Sequence, residues 1–172
     1  MIINHVFLSE NSNIQLLAPR EQLNFYDSQS VVLPEEITAP DAWRMIVSNP
    51  LPIMKLAFQI RDKISSCFGV KPIKGFSGQW PDNIQVGDQL DFFLVEHISP
   101  SVLTLTARDK HLDVMTCITT DKTELTITSS VKTHNLFGRL YMLPVAIAHR
   151  LIVRSDLKRL KHKMIKDQSP LA

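Results

Sequence analysis

Four strand-like stretches follow one another between Asp88 and His134 with only a few residues to turn in, and a long helical pattern comes straight after them. Connections that short place consecutive strands side by side and antiparallel, because a parallel return needs a crossover of a dozen or more residues. The strands are expected over Asp88–Ile98, Val102–Arg108, His111–Thr120 and Glu124–His134, with turns at Pro100, Asp109-Lys110 and Asp121-Lys122. In the last of them Leu125, Ile127, Ser129 and Val131 alternate with Thr126, Thr128, Ser130 and Lys132. Such alternation predicts a sheet with one buried face and one wetter face.

The closing helix is expected from about Leu136 to Ile165, with Asn135 as its N-cap and Pro144 kinking it. Tyr141, Val145, Ala148 and Ile152 form one apolar stripe; Leu140, Leu143, Ile147 and Leu151 form another. Together they predict a wide apolar surface gripped by the sheet.

Upstream, Phe25, Asp27, Gln29 and Val31 alternate with their neighbours in a strand from about Asn24 to Leu33, which Pro34 ends. Thr38-Ala-Pro-Asp41 then reads as a helix start, because Thr caps, Pro fits the first turn and Asp favours the positive end. Trp43, Ile46 and Val47 share its apolar side. A second helix is expected over Pro52–Phe68, capped by Gly69, and a short strand around Lys74 to Ser77. Residues 1–23 read as a partly irregular segment and 167–172 as a frayed tail. The fold class is therefore α+β: one domain over 1–172, a curved antiparallel sheet packed on a long kinked C-terminal helix, with two short helices after the first strand.

A chain of 172 residues, 44% hydrophobic and 21% charged, can bury such a core without staples. Cys67 and Cys117 are too few for a disulfide scaffold, and no C-x-x-C suggests zinc or redox chemistry. The N-terminus lacks the basic and apolar regions of a signal peptide, and no uninterrupted run approaches ~18 apolar residues, so a cytoplasmic protein without a membrane span is expected. The net charge of +2 is uneven: residues 150–166 hold seven Lys/Arg against Asp156 alone, while residues 1–149 carry −3. With no nucleic-acid-binding motif and an acidic body, no nucleic-acid partner is expected. The absence of G-x-G-x-x-G, Walker, G-x-S-x-G and H-E-x-x-H patterns argues against a self-contained dehydrogenase, nucleotidase, esterase or zinc protease.

Three constellations carry chemistry. Around the second turn, Arg108 can pair across to Asp113, and a strand would place His111 and Asp113 on one face. A histidine beside a carboxylate suits acid–base work; ordinary solvated turn charges are the plainer reading. Next, His134-Asn135-Leu136-Phe137-Gly138-Arg139-Leu140-Tyr141 marks the junction of last strand and helix. Free N–H groups, a glycine that blocks nothing and Arg139 can receive an anion there; a helix cap with Gly138 in close packing is the alternative. Third, His149 sits at the edge of the apolar surface beside Arg150. The separations of His111, His134 and His149 fit no zinc motif, so no metal and no cofactor are expected.

Arg108-Asp-Lys-His111-Leu-Asp113, the His134–Tyr141 segment, His149-Arg-Leu-Ile-Val153 and Asp41-Ala-Trp43 resemble segments of an uncharacterised bacterial family known as domain of unknown function 2867. The resemblance spans about Leu16 to Arg159. It implies no activity; some members are fused to nucleotide-sugar-epimerase-like domains, which implies small-molecule metabolism. The order of elements is similar to the helix-grip fold of START-like and plant-allergen-like proteins.

These observations lead to a small-molecule binding domain. A cavity of a few hundred Å³ is expected between sheet and C-terminal helix, its hydrophobic or anionic metabolite oriented by Arg108, His134, Asn135, Arg139, Tyr141 and His149. The alternatives are a cyclase- or isomerase-like enzyme with His111, Asp113 or His134 as the acid–base group, and an interaction protein using the basic helix, with homo-oligomerisation open.

Overall fold

A computed structural model of the chain describes residues 7–8, 13–48, 77, 80–81 and 83–168. The second expected helix, with Cys67 and Gly69, lies outside the described residues, as does most of the expected strand at 74–77.

The elements run β1 (Phe7–Leu8), β2 (Gln15–Leu16), β3 (Phe25–Val32), α1 (Ala39–Val47), β4 (Gln89–Leu90), β5 (Phe93–Ile98), β6 (Val102–Arg108), β7 (Leu112–Asp121), β8 (Glu124–Thr133) and α2 (Leu136–Gln168). Six of the strands form one antiparallel sheet in the order β3-β8-β7-β6-β5-β4. The α+β class, the meander and the long closing helix are as the sequence predicts. The first expected strand of the meander is in fact a hairpin. Leu90 pairs with Phe93, and the chain turns at Asp91, whose φ of 56° lies in the left-handed region. Asp tolerates that conformation, so the turn needs neither Gly nor Pro and leaves no loud signal.

Register explains which side chains enter the core. Val31 pairs with Leu125, Gln29 with Ile127 and Phe25 with Val131, and β7 continues these rows through Ile118 and Val114. With Leu103, Leu105, Val95 and Phe93 they form the face that α1 and α2 cover. On α1, Ala39, Ala42, Trp43, Ile46 and Val47 are buried. Thr38 caps it: its Oγ1 accepts the Asp41 N–H (3.2 Å) and donates to Asp41 Oδ2 (2.7 Å).

The opposite face is less wet than its composition suggests. Thr104, Thr128, Ser130, Met115 and Cys117 are all buried. The N-terminal segment lies over them: the Gln15 N–H donates to Cys117 Sγ (3.3 Å) and the Leu17 N–H to Ser130 Oγ (3.3 Å), with Leu16 and Ala18 buried. Residues 13–18, expected to be partly irregular, thus form the second cover of the sheet. Periodicity within the strands cannot reveal a cover supplied from elsewhere in the chain.

The two stripes of α2 also part company. Tyr141, Met142, Val145 and Ala146 pack against Phe25, Leu112 and Val131, and Val153, Leu157, Leu160 and Met164 join the main core. Leu136, Leu140, Leu143, Ile147 and Leu151 are instead 57–70% exposed. The expectation that the sheet grips both stripes is therefore corrected. A helix lying along edge strand β3 and its neighbour β8 has only one side to give them. The helix is continuous through Pro144. By length and composition it is apolar enough to cross a membrane, despite Arg139 and Arg150 within its apolar half.

Candidate functional site

Five of the polar residues singled out by sequence gather at one end of the sheet in two groups, Arg108, Asp113 and His134 in one and His111 and Asn135 in the other. Arg108 and Asp113 are cross-strand partners. The Arg108 guanidinium lies 3.1 Å from Glu96 and 3.5 Å from Asp113, and Asp113 lies 3.1 Å from His134 Nε2. Thr106 Oγ1 donates to Glu96 (2.8 Å). Acid, base, acid and imidazole therefore alternate across that end of the sheet. A half-exposed ladder of this kind is screened by water, so each pair is worth about 0–1 kcal/mol.

His111 does not share a face with Asp113, because β7 begins only at Leu112 and the alternation of a strand does not reach back into the turn. Instead its ring lies 4.6 Å from Phe137, and its Nδ1 meets the Asn135 amide. Asn135 is the N-cap of α2. Its Oδ1 accepts the Gly138 N–H (3.0 Å), and its Nδ2 donates to the Lys110 carbonyl (3.1 Å) and to His111 Nδ1 (3.0 Å). A Cβ on Gly138 would collide with the His111 carbonyl, which itself accepts the His134 N–H. Gly138 therefore serves close packing. Its N–H, one of those an anion would need, is already taken by the chain.

The remaining expected residues are dispersed. Arg139 is exposed on α2, and Tyr141 stacks on Phe137 at 6.2 Å. His149 lies edge-on to Phe25 at 5.5 Å. Burial, assisted by the neighbouring Arg150 and opposed by Asp27, pushes its pKa down. Arg150 pairs with Asp27 at 3.6 Å. Among the described residues, His111 Nε2 and His149 Nε2 are buried without a hydrogen-bond partner. No group of three or more His, Cys, Asp or Glu among the described residues could hold a metal ion.

A cleft with chemistry lies at the other end of the molecule, where α1 crosses α2. Met45, Ile46, Asp156, Arg159, Leu160 and Lys163 line a cavity of about 190 Å³. Asp156 is only 4% exposed. Its Oδ1 accepts from Arg159 Nη2 at 3.0 Å, and the same Nη2 donates to the Ile46 carbonyl at 3.2 Å. Burial pushes the Asp156 carboxyl up to about 6, with Arg159 opposing. A perturbed acid in a cleft with two cations and an apolar wall is a binding-site candidate on physical grounds. Sequence reasoning missed it by treating residues 150–166 as one solvated basic run. The signal was present in the helical spacing: Asp156 lies on the buried side with Val153, Leu157 and Leu160.

Residues 20–156 match the family described as Protein of unknown function (DUF2867), and the chain belongs to that family. No curated protein and no solved structure matches it.

Proposed function

We propose that this domain binds a small amphipathic molecule in the cleft between α1 and α2. The observation that carries the reading is Asp156, a carboxylate held out of water at the wall of a cavity. Burying an acid costs free energy that packing alone would not select, since an apolar residue there would be cheaper. Met45, Ile46 and Leu160 offer an apolar wall. Arg159 and Lys163 favour a carboxylate or phosphate head, and below about pH 6, where Asp156 is protonated, its carboxyl can donate to that head as well. We place the domain in the cytoplasm, where the buried free thiol of Cys117 would persist.

Native mass spectrometry of protein purified without refolding tests this. A co-purified small mass is expected on the wild type and absent from Met45→Trp, whose ring fills the cleft. The same mass retained by a folded Met45→Trp would contradict the assignment.

A second reading, acid–base catalysis of cyclase or isomerase type, is favoured by the 3.1 Å contact of His134 with Asp113. It places catalysis at the far end of the sheet, so His134→Gln would abolish turnover of a substrate that Asp156→Asn still converts.

A further inference from the structure

We infer that the outer face of α2 docks on an anionic membrane surface, lying in the plane of the lipid–water interface. Leu136, Leu140, Leu143, Ile147 and Leu151 recur at helical spacing and are all exposed. They make one stripe about 22 Å long at ~1.5 Å per residue. The same line of the helix continues through exposed Arg154 and Lys158, and Arg139 and Arg150 flank the stripe. Of the two acids on α2, Asp156 is buried at the α1–α2 cleft and Asp167 lies in its last turn. Asp27 neutralises Arg150 in part but reaches it from β3. The exposed face is thus apolar and cationic, the pattern of an interfacial helix whose Lys and Arg reach headgroups while its aliphatics enter the acyl boundary.

Two further observations favour lipid. By length and composition α2 passes as a membrane-spanning helix, yet its inner side is committed to the sheet through Met142, Val153 and Leu157, so it meets a bilayer side-on. A second copy fits poorly. Parallel pairing sets cation against cation. Antiparallel pairing brings Arg154 and Lys158 to the positive N-terminal end of the other helix.

Sedimentation of the full chain with phosphatidylcholine vesicles, with and without about 30 mol% phosphatidylserine, tests the inference. Binding is expected only to the anionic vesicles. It should fall about tenfold or more when NaCl rises from about 0.1 to about 1 M, which cuts the screening length from ~10 to ~3 Å. A Leu140→Glu, Leu143→Glu, Ile147→Glu variant should lose binding while keeping the wild-type circular dichroism spectrum, because all three side chains are exposed. Arg154→Glu with Lys158→Glu should lose binding to anionic vesicles as well. The inference is overturned by no binding to either vesicle, by equal binding to neutral vesicles, or by attachment that resists both salt and alkaline carbonate, as a span would. A lipid-free dimer that the triple variant dissociates would overturn it too.

Discussion

At the scale of single residues, Gly138 and Asp156 are two positions where the chain departs from what local preference would choose. Alanine is better than glycine inside a helix by about 1 kcal/mol. At Gly138 that gain meets a backbone carbonyl, that of His111, which cannot rotate away without breaking its bond to the His134 N–H. Gly138→Ala is therefore expected to destabilise the fold by about 1–2 kcal/mol net, read as a lowered midpoint of denaturant unfolding. A stabilised variant would show that the helix start yields. Asp156 makes a pH-dependent contribution of definite sign. Its folded pKa is raised from 3.8 to about 6, so between those values the native state holds a proton that the unfolded state has released. Stability must then fall as pH rises through about 4 to 6 and stay reduced above it. Asp156→Asn should remove that component, of order 1–3 kcal/mol, when unfolding free energies of the two proteins are compared from pH 4 to pH 7. Parallel pH profiles would mean that the carboxylate is better hydrated than its burial indicates.

At the scale of elements, α2 shows what periodicity reveals and what it leaves open. Both apolar stripes, the Asn135 cap and the continuation past Pro144 are legible in the sequence. Which stripe meets the sheet is not, because helical spacing fixes faces relative to one another and not relative to a partner. The Tyr141 and Val145 side was chosen by the rows that β3 and β8 present, Phe25 and Val131 above all. The same reasoning covers the cap. Asn135 serves Gly138, Lys110 and His111 together, so it ties the helix start to the β6–β7 turn as well as closing the helix. Asn135→Ala is expected to cost about 1–2 kcal/mol. Hydrogen exchange should accelerate both in the first turn of α2 and at residues 109–112; acceleration in the helix alone would reduce Asn135 to an ordinary cap.

At the scale of the whole molecule, the sheet is covered on both sides, and only one cover was legible. The meander, its register and the face turned to the helices follow from alternation and short turns. The N-terminal cover rests on single contacts, such as the Gln15 and Leu17 N–H groups on Cys117 and Ser130, that no local pattern encodes. That cover has a direct readout. Burial raises the Cys117 thiol pKa, so its labelling by a thiol reagent should be slow. In a Cys67→Ser background, Leu16→Ala should speed labelling of Cys117 by about tenfold for each ~1.4 kcal/mol lost from the cover. An unchanged rate would detach residues 13–18 from the back of the sheet. The candidate site was hidden for a related reason. Asp156 becomes notable only once α1 is laid across α2, which brings Met45 and Ile46 to a carboxylate more than a hundred residues away in the chain.

The proposal that this juxtaposition is a ligand site is tested most directly by titrating the protein with octanoate, an apolar chain with an anionic head, while following methyl signals by NMR. The expected result is saturable shifts at Met45, Ile46 and Leu160, weakened about tenfold or more when Arg159 is replaced by Gln, the loss of roughly one charge-assisted contact. Shifts confined to Leu140, Leu143 and Ile147, or none at the cleft, would contradict it.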